Sequence, residues 1–165
     1  MQHVQTRSTT SALVLTAVLI ALATLFTMYT KIPVPGIRGY FNVGDVVIMT
    51  SALLLGRKYG AYIGAIGPAL ADLFLGYAVF VPITFVVKGI EGYLVGTVYN
   101  HKTTTSALAA TIVGGVIIVA GYFIAEYFVF DPGVALAGIL TNTIQAVMSV
   151  IISMILYAIL RKRLG

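Results

Sequence analysis

The chain contains no cysteine and very few charged side chains. Without cysteine it can form neither disulfides nor thiolate metal sites. Its two histidines, His3 and His101, lie far apart and lack the spacing of metal ligands. No stretch has the GxxxxGK[ST] form of a phosphate-binding loop, so any ATP hydrolysis linked to this chain takes place in another protein. No cofactor is expected, and no nucleophile or paired carboxylate spacing favours a membrane enzyme.

Hydrophobic residues make up 59% of the 165 residues, charged residues only 9%, and the mean hydropathy is +1.02. Soluble globular domains have about 25% charged residues, so this composition is typical of a chain embedded in a bilayer. The length allows about six spans of about 20 residues. The formal charge of +5 comes from basic residues between apolar runs, not along one face, so nucleic acid is not an expected partner. Residues 1–165 are predicted to form one membrane domain.

The apolar runs predict an all-α fold, a compact bundle of six transmembrane helices at about residues 11–29, 43–55, 59–75, 83–99, 106–128 and 134–160. An even number of spans puts both termini on one side. Positive residues concentrate on that side, and we therefore predict that both termini are cytoplasmic and that Glu126 and Asp131 face outside. The basic residues on the predicted cytoplasmic side are Arg7, Arg57, Lys58, Lys102, Arg161, Lys162 and Arg163.

The longest connection on the predicted outer side is the segment 30–42. Pro33 and Pro35 favour extended structure, whereas Gly36 and Gly39 supply bends. This composition suits a lid over a binding site. A plain surface loop is the alternative.

Three charged residues interrupt apolar sequence in the middle of the chain: Asp72, Lys88 and Glu91. A charge at membrane depth is costly unless it is paired or wetted, which makes each a functional candidate, with a structural ion pair as the alternative. We predict that the three form one coupled cluster in the outer half of the bundle. Helical rise places Asp45 near the outer end of helix two, and Asn142 and Gln145 on one stripe of helix six.

The inner halves of the helices carry hydroxyl residues and no ionisable side chain, so the polar groups predict a cavity open to the outside. A pore would need a polar lining through its full length, and no internal repeat of the usual carriers is detectable. Tyr40 on the lid and Tyr77 in the outer turn would suit a ring-shaped ligand. As an alternative, such tyrosines anchor the chain at the interface.

The run GYFNVGDVVIMTSALLLG (residues 39–56), then ADLFLGY (71–77), then a turn with proline and KGIEG (88–92), resembles the substrate-binding S component of energy-coupling factor (ECF) transporters, in its riboflavin-type group. The resemblance covers about residues 12–99. It implies a six-helix bundle with an outward-facing pocket, closed by the loop between helices one and two. The residues that match the family's motif positions are Asn42, Asp45, Asp72, Tyr77, Lys88 and Glu91.

The resemblance also implies partners. S components work with a membrane coupling subunit and a pair of ABC-type ATPases, and their first helix commonly carries an AxxxA motif that contacts the coupling subunit. Ala17 and Ala21 match that motif. The chain is then not an enzyme but a subunit that binds a vitamin or precursor. Riboflavin, a pyridoxine-like ring or a hydroxymethylpyrimidine-like ring would each suit aromatic walls with a few amide and charged groups.

A stand-alone small transporter or channel remains the alternative. In that case Lys88 and Glu91 would belong to a proton or ion path through the membrane, and the chain could be oligomeric. Uptake without any ATPase would favour this alternative, whereas tight solute binding with transport only in the presence of coupling proteins would favour the S component.

Overall fold

The computed structural model describes residues 9–33, 40–100 and 103–164, and helices dominate these ranges. This confirms the all-α class. A two-stranded hairpin follows the first helix. The elements are α1 (Thr9–Tyr29), β1 (Ile32–Pro33), β2 (Tyr40–Phe41), α2 (Gly44–Leu55), α3 (Arg57–Phe74), α4 (Phe80–Val98), α5 (Thr104–Val129) and α6 (Pro132–Leu164).

Four helices in the described part are long and apolar enough to cross a membrane, and they are α1, α4, α5 and α6. Helix α2 has 12 residues. At a rise of 1.5 Å per residue it is about 18 Å long, which is less than the hydrocarbon thickness of about 30 Å. Helix α3 contains Arg57, Lys58, Pro68 and Asp72, which lower its apolar character. That all six helices cross the bilayer stays a prediction.

Helix α2 is the centre of the bundle, because it is in contact with every other helix. Around it the other helices follow the order α1, α3, α4, α5, α6, and α1 packs against α2 and α3 alone among the described elements. Nine of the 12 residues of α2 are buried. Met49 and Leu53 pack in the main core with Val95 of α4 and Ile118 of α5. A side chain near the start of α2 can therefore meet groups from several helices at once.

Glycines let α3 and α4 approach each other closely. A Cβ atom added to Gly60 would lie 2.5 Å from the carbonyl oxygen of Gly92, and one added to Gly64 would overlap the carbonyl of Lys88. No larger side chain fits there without moving a backbone, so this is a small-residue helix contact of the kind seen between membrane helices. The contact fixes the positions of Lys88 and Glu91 along the axis of the bundle relative to α3.

The hairpin brings the chain back over the start of α2. Ile32 pairs with Phe41 and Pro33 with Tyr40 in an antiparallel register. The amide of Val43 donates to Thr30 Oγ1 at 3.0 Å, which ties the end of the hairpin to the end of α1. Residues 34–39 of the predicted lid, 30–42, lie outside the described residues.

The observed helix ends differ most from the predicted ones at α4 and α6. Helix α4 begins at Phe80, three residues before the predicted start at 83. Pro82 falls in its first turn, where proline is tolerated because the backbone N–H would have no helical partner there. Helix α6 continues to Leu164, beyond the predicted end at 160, through Arg161 and Lys162. Both residue types form helix readily, so the end of the apolar run does not end the helix.

Candidate solute-binding site

A buried ion pair joins α4 to α2. Lys88 is 1% exposed and Asp45 is fully buried, and the Lys88 ammonium donates to Asp45 Oδ1. The side-chain amide of Gln145, on α6, donates to Asp45 Oδ2 at 2.7 Å. Both oxygens of this carboxylate are therefore satisfied, which a buried charge requires. Asp45 connects three helices through its side chain.

Glu91 lies one turn beyond Lys88 on α4 and is also fully buried. Its Oε2 is 3.6 Å from Lys88 Nζ, and neither of its carboxylate oxygens has a hydrogen-bond partner among the described residues. One ammonium thus serves two carboxylates, with Asp45 as the direct partner.

Asp72 takes part in a different contact from the one predicted. Its Oδ1 accepts a hydrogen bond of 2.6 Å from the hydroxyl of Tyr40, on the hairpin, and no described ion pair joins it to Lys88. The pKa of the Tyr40 phenol is raised above its ordinary value, mainly by burial and secondly by the negative charge of Asp72. Tyr40 therefore remains the donor at physiological pH. The predicted cluster of Asp72, Lys88 and Glu91 is therefore corrected in part: Lys88 contacts Glu91 as predicted, but its direct partner is Asp45, and Asp72 bonds to the hairpin.

Asp45 is the second residue of α2 and thus lies at the start of that helix, as predicted. Its partner Lys88 lies eight residues beyond the start of α4, about 12 Å along that helix. The ion pair therefore joins the first turn of α2 to the middle of α4.

Asn42 and Gln145 link the hairpin to the ion pair. The backbone N–H of Asn42 donates to Gln145 Oε1 at 2.9 Å, while the other end of the same amide donates to Asp45. Asn42 Oδ1 accepts from the N–H of Gly44 at 2.9 Å, at the start of α2. That bond satisfies one of the free N–H groups of the helix end. A movement of Asn42 would therefore disturb the hydrogen bond from Gln145 to Asp45.

A cavity of about 40 Å³ lies between the hairpin and the bundle. One water molecule needs about 10–15 Å³ by this measure, so the space suits a few waters, and a ring-shaped solute requires the walls to move apart. Tyr40, which lines the cavity, belongs to the segment predicted to move. The lining residues are Thr27, Tyr40, Asn42, Pro68, Asp72, Phe80, Thr84, Lys88, Tyr122, Glu126, Gly138, Asn142 and Gln145.

The nine predicted ligand-binding residues fall into two groups. Three of them, Asp45, Glu91 and Tyr77, are absent from the cavity lining. Asp45 and Glu91 are fully buried and contact Lys88. The ring centroid of Tyr77 is 4.9 Å from that of Tyr40. Lys31 lies 4.8 Å above the Tyr77 ring. The six that line the cavity are Tyr40, Asn42, Asp72, Lys88, Asn142 and Gln145.

Glu126 is the functional candidate that the sequence analysis missed. It was predicted only to lie on the outer side of the membrane, and the structure shows that it is 6% exposed and lines the cavity from α5. Tyr122, one turn earlier on the same helix, also lines the cavity, and its hydroxyl lies 2.9 Å from that of Thr84. The spacing of four between Tyr122 and Glu126 places both on one helix face, and this was the signal available in the sequence.

In the described ranges, no group of three histidine, cysteine or acidic side chains could hold a metal ion.

Ala17 and Ala21, the predicted docking residues, are exposed on α1, whereas Ala23 is fully buried. The AxxxA face thus lies away from the core of the chain.

Comparison with known proteins gives the family. The family model of the ECF-type riboflavin transporter S component matches residues 7–162. A Pyrococcus woesei protein described as "uncharacterized protein in gap 3'region" is 41% identical over 86% of this chain and 96% of its own. The thiamine precursor transporter HmpT of Lactococcus lactis subsp. cremoris (strain MG1363) is 28% identical over 89% of this chain and 83% of its own.

Solved structures agree in fold. The S component of a bacterial ECF transporter superposes with a TM-score of 0.73 at 20% identity, covering 94% of this chain and 98% of that one. The S component for biotin from an ECF-type ABC transporter gives a TM-score of 0.65 at 18% identity, covering 89% and 90%. The match of the family model to almost the whole chain, together with this fold, identifies the protein as a member of the ECF riboflavin-type S component family, the membrane-embedded substrate-binding subunits of vitamin transporters.

Proposed function

We propose that this chain captures a vitamin or vitamin precursor from outside the cell and releases it inward only together with a separate coupling subunit and a pair of ABC-type ATPases. The observation that carries the proposal is the small cavity beneath the hairpin, where polar groups from α3, α4, α5 and α6 converge. A few placed polar groups among aromatic walls are typical of small-molecule sites.

The segment 30–42 serves as the lid in this proposal. Tyr40 closes the cavity through its hydrogen bond to Asp72. Gln145 connects the lid to the ion pair, because its side-chain amide bonds to the backbone of Asn42 and to Asp45. Opening the lid would remove Tyr40 from the wall and enlarge the space to the size of a ring. The nine residues predicted from the sequence then divide into contacts for the solute and supports beneath them, with Asp45 and Glu91 as supports.

The proposed orientation has both termini in the cytoplasm and the lid outside. Arg57 and Lys58 are exposed at the start of α3, at the end of the bundle opposite the cavity. Positive residues stay on the cytoplasmic side during insertion. The exposed Ala17 and Ala21 would then receive the coupling subunit on α1, whose packing within the chain is limited to α2 and α3.

The proposed solutes are riboflavin, a pyridoxine-like ring or a hydroxymethylpyrimidine-like ring. One relative is described as a thiamine precursor transporter and one structural neighbour as an S component for biotin, so the family fold accommodates different vitamins.

Two measurements test the proposal. Mass spectrometry of the solute retained by the purified chain should identify a vitamin-class molecule. Vesicles that contain this chain alone should bind that solute without accumulating it, and vesicles that also contain the coupling subunit and ATPases should accumulate it when supplied with ATP. Accumulation by the chain alone would overturn the proposal and favour the stand-alone transporter with an ion path through Lys88 and Glu91.

A further inference from the structure

We infer that Glu126 determines the specificity of this cavity, and that the solute it selects is a small aromatic ring with an amino group or protonated ring nitrogen at one edge. The inference rests on the proposed function and names the chemical class of its solute.

The first support is the state of the Glu126 carboxylate. The residue is 6% exposed, and its Oε2 has no hydrogen-bond partner in the described part of the chain. A buried acceptor without a partner is costly to a folded protein, and such groups are found where a ligand supplies the partner. Glu126 also lines the cavity, so a bound solute can reach it.

The second support is the balance of charge. Four of the five acidic residues of the chain are buried, namely Asp45, Asp72, Glu91 and Glu126. Lys88 is the one buried cation in the described ranges, and Asp45 and Glu91 share it. The remaining carboxylates, Asp72 and Glu126, therefore make the cavity favourable to a cation or an N–H donor, and unfavourable to a carboxylate or phosphate on the solute.

The third support is the set of groups next to Glu126. Gly138 on α6 faces the carboxylate, and a Cβ atom added there would lie 2.5 Å from Glu126 Oε2. The same Cβ position is 3.5 Å from the side-chain amide of Asn142. A carboxylate acceptor and an amide, which both donates and accepts, thus flank one small space. An amino group beside a ring nitrogen offers the complementary functions, a donor to the carboxylate and an acceptor for the amide N–H.

Aromatic side chains complete the match. Phe80 and Tyr122 line the same cavity as Glu126. Aromatic faces attract cations as well as flat rings, so an amino-substituted ring that carries positive charge gains from both.

The inference is tested with two probes, 4-amino-2-methylpyrimidine and 2,4-dimethylpyrimidine, which have the same aromatic ring and differ only in an amino or a methyl group at position 4. Binding to the purified full-length chain in detergent is measured by calorimetry for the wild type and for Glu126→Gln. The wild type should bind the amino probe about 10-fold tighter or more, since a hydrogen bond to a charged group is worth about that ratio. Glu126→Gln should lose this preference. The matched control is Asp131→Asn, an exposed carboxylate at the α5–α6 turn, which should retain it.

Two further measurements guard against a variant that fails to fold. Glu126→Gln should have the same or a higher unfolding temperature than the wild type without solute, because it replaces a buried carboxyl group whose Oε2 has no described partner. Gly138→Ala, which keeps the charge but crowds the carboxylate, should reduce binding of the amino probe. A marked loss of stability in Glu126→Gln would show that the carboxylate has a structural partner and would overturn the inference.

The outcomes separate the two proposals. The inference is overturned, and the proposed function stays in place, if the wild type binds riboflavin or a pyridoxine-like ring but shows no preference for the amino probe. The same holds if the wild type prefers the amino probe and Glu126→Gln keeps that preference. Failure of the wild type to bind any of these rings overturns both.

Discussion

The ammonium of Lys88, on α4, donates to the carboxylate of Asp45, on α2, and both residues are buried. Helix α2 is only 12 residues long, and its first turn lies beside this pair. Gln145 of α6 holds the second oxygen of the same carboxylate. The pair therefore fixes the start of the central helix between two others, directly beneath the cavity.

Removing Lys88 should destabilise the protein strongly. Lys88→Met leaves Asp45 and Glu91 buried without a cation, and breaking such a pair costs about 3–5 kcal/mol. Adding Asp45→Asn to Lys88→Met should recover part of the loss, because the expensive unpaired carboxylate is removed. Unfolding of the single and double variants in detergent measures the coupling free energy between Lys88 and Asp45. Lys58→Met, which removes an exposed cation, serves as the control.

The same experiment distinguishes the partners of Lys88. The coupling should be larger with Asp45 than with Glu91, whose Oε2 is 3.6 Å away, and smallest with Asp72, which bonds to Tyr40. Purely additive losses for Lys88→Met and Asp45→Asn would count against the paired arrangement.

Hydropathy predicted the all-α class and the presence of buried charge, but it could not predict the pairing. The sequence placed Asp45 at the start of the second helix, where it lies, but it did not show which side chain of α4 comes next to it. Lys88 and Glu91 share a face of α4 by their spacing of three, and that local relationship was predictable. The contact of Lys88 with Asp45 depends on how α2 and α4 are packed, which is a tertiary property.

Glu126 shows a second limit of reading along the chain. It lies three residues before the end of α5, and the sequence placed it on the outer side of the membrane without indicating that it is buried. The structure turns it inward because Gly138 on α6 leaves room for its side chain. The match between a glycine on one helix and a carboxylate on another becomes visible only when both helices are placed.

The lid should open more readily when Tyr40 loses its hydroxyl. Tyr40→Phe removes the donor to Asp72, and a hydrogen bond to a charged group is worth a factor of about 10 or more in an opening equilibrium. A protease added from outside should then cleave segment 30–42 faster in the variant. Tyr29→Phe, which changes an 85% exposed tyrosine at the end of α1, should leave the rate unchanged.

Solute should protect the same segment in the wild type, because binding lowers the population of open lid that the protease samples. Residues 100–105, which follow α4 and include the first two residues of α5, should show no such protection. Equal cleavage of segment 30–42 with and without solute would remove its role as a lid.

The proposed orientation can be tested with single cysteines, since the natural chain has none. Ala78→Cys lies in the exposed turn between α3 and α4, and Lys58→Cys at the exposed start of α3. A maleimide that cannot cross membranes should label Ala78→Cys in intact cells and Lys58→Cys only in inverted vesicles. The reverse pattern would place both termini outside.

The last prediction separates solute binding from transport through the exposed face of α1. Ala21 points away from the core, so Ala21→Trp should fold normally and bind solute with wild-type affinity. Transport into vesicles with the coupling subunit and ATPases should be lost, because the small side chain no longer permits close approach of a partner helix.

Ala23, two residues further along the same helix, supplies the matched control. It is fully buried, and its methyl group packs close to Gly67 of α3. Ala23→Trp should therefore reduce both stability and solute binding, since overpacking a core costs about 1–3 kcal/mol or more. The comparison must be made on monodisperse protein in detergent. If Ala21→Trp weakens solute binding as Ala23→Trp does, the face belongs to the packing of the bundle, and the docking of the coupling subunit must be sought on another surface.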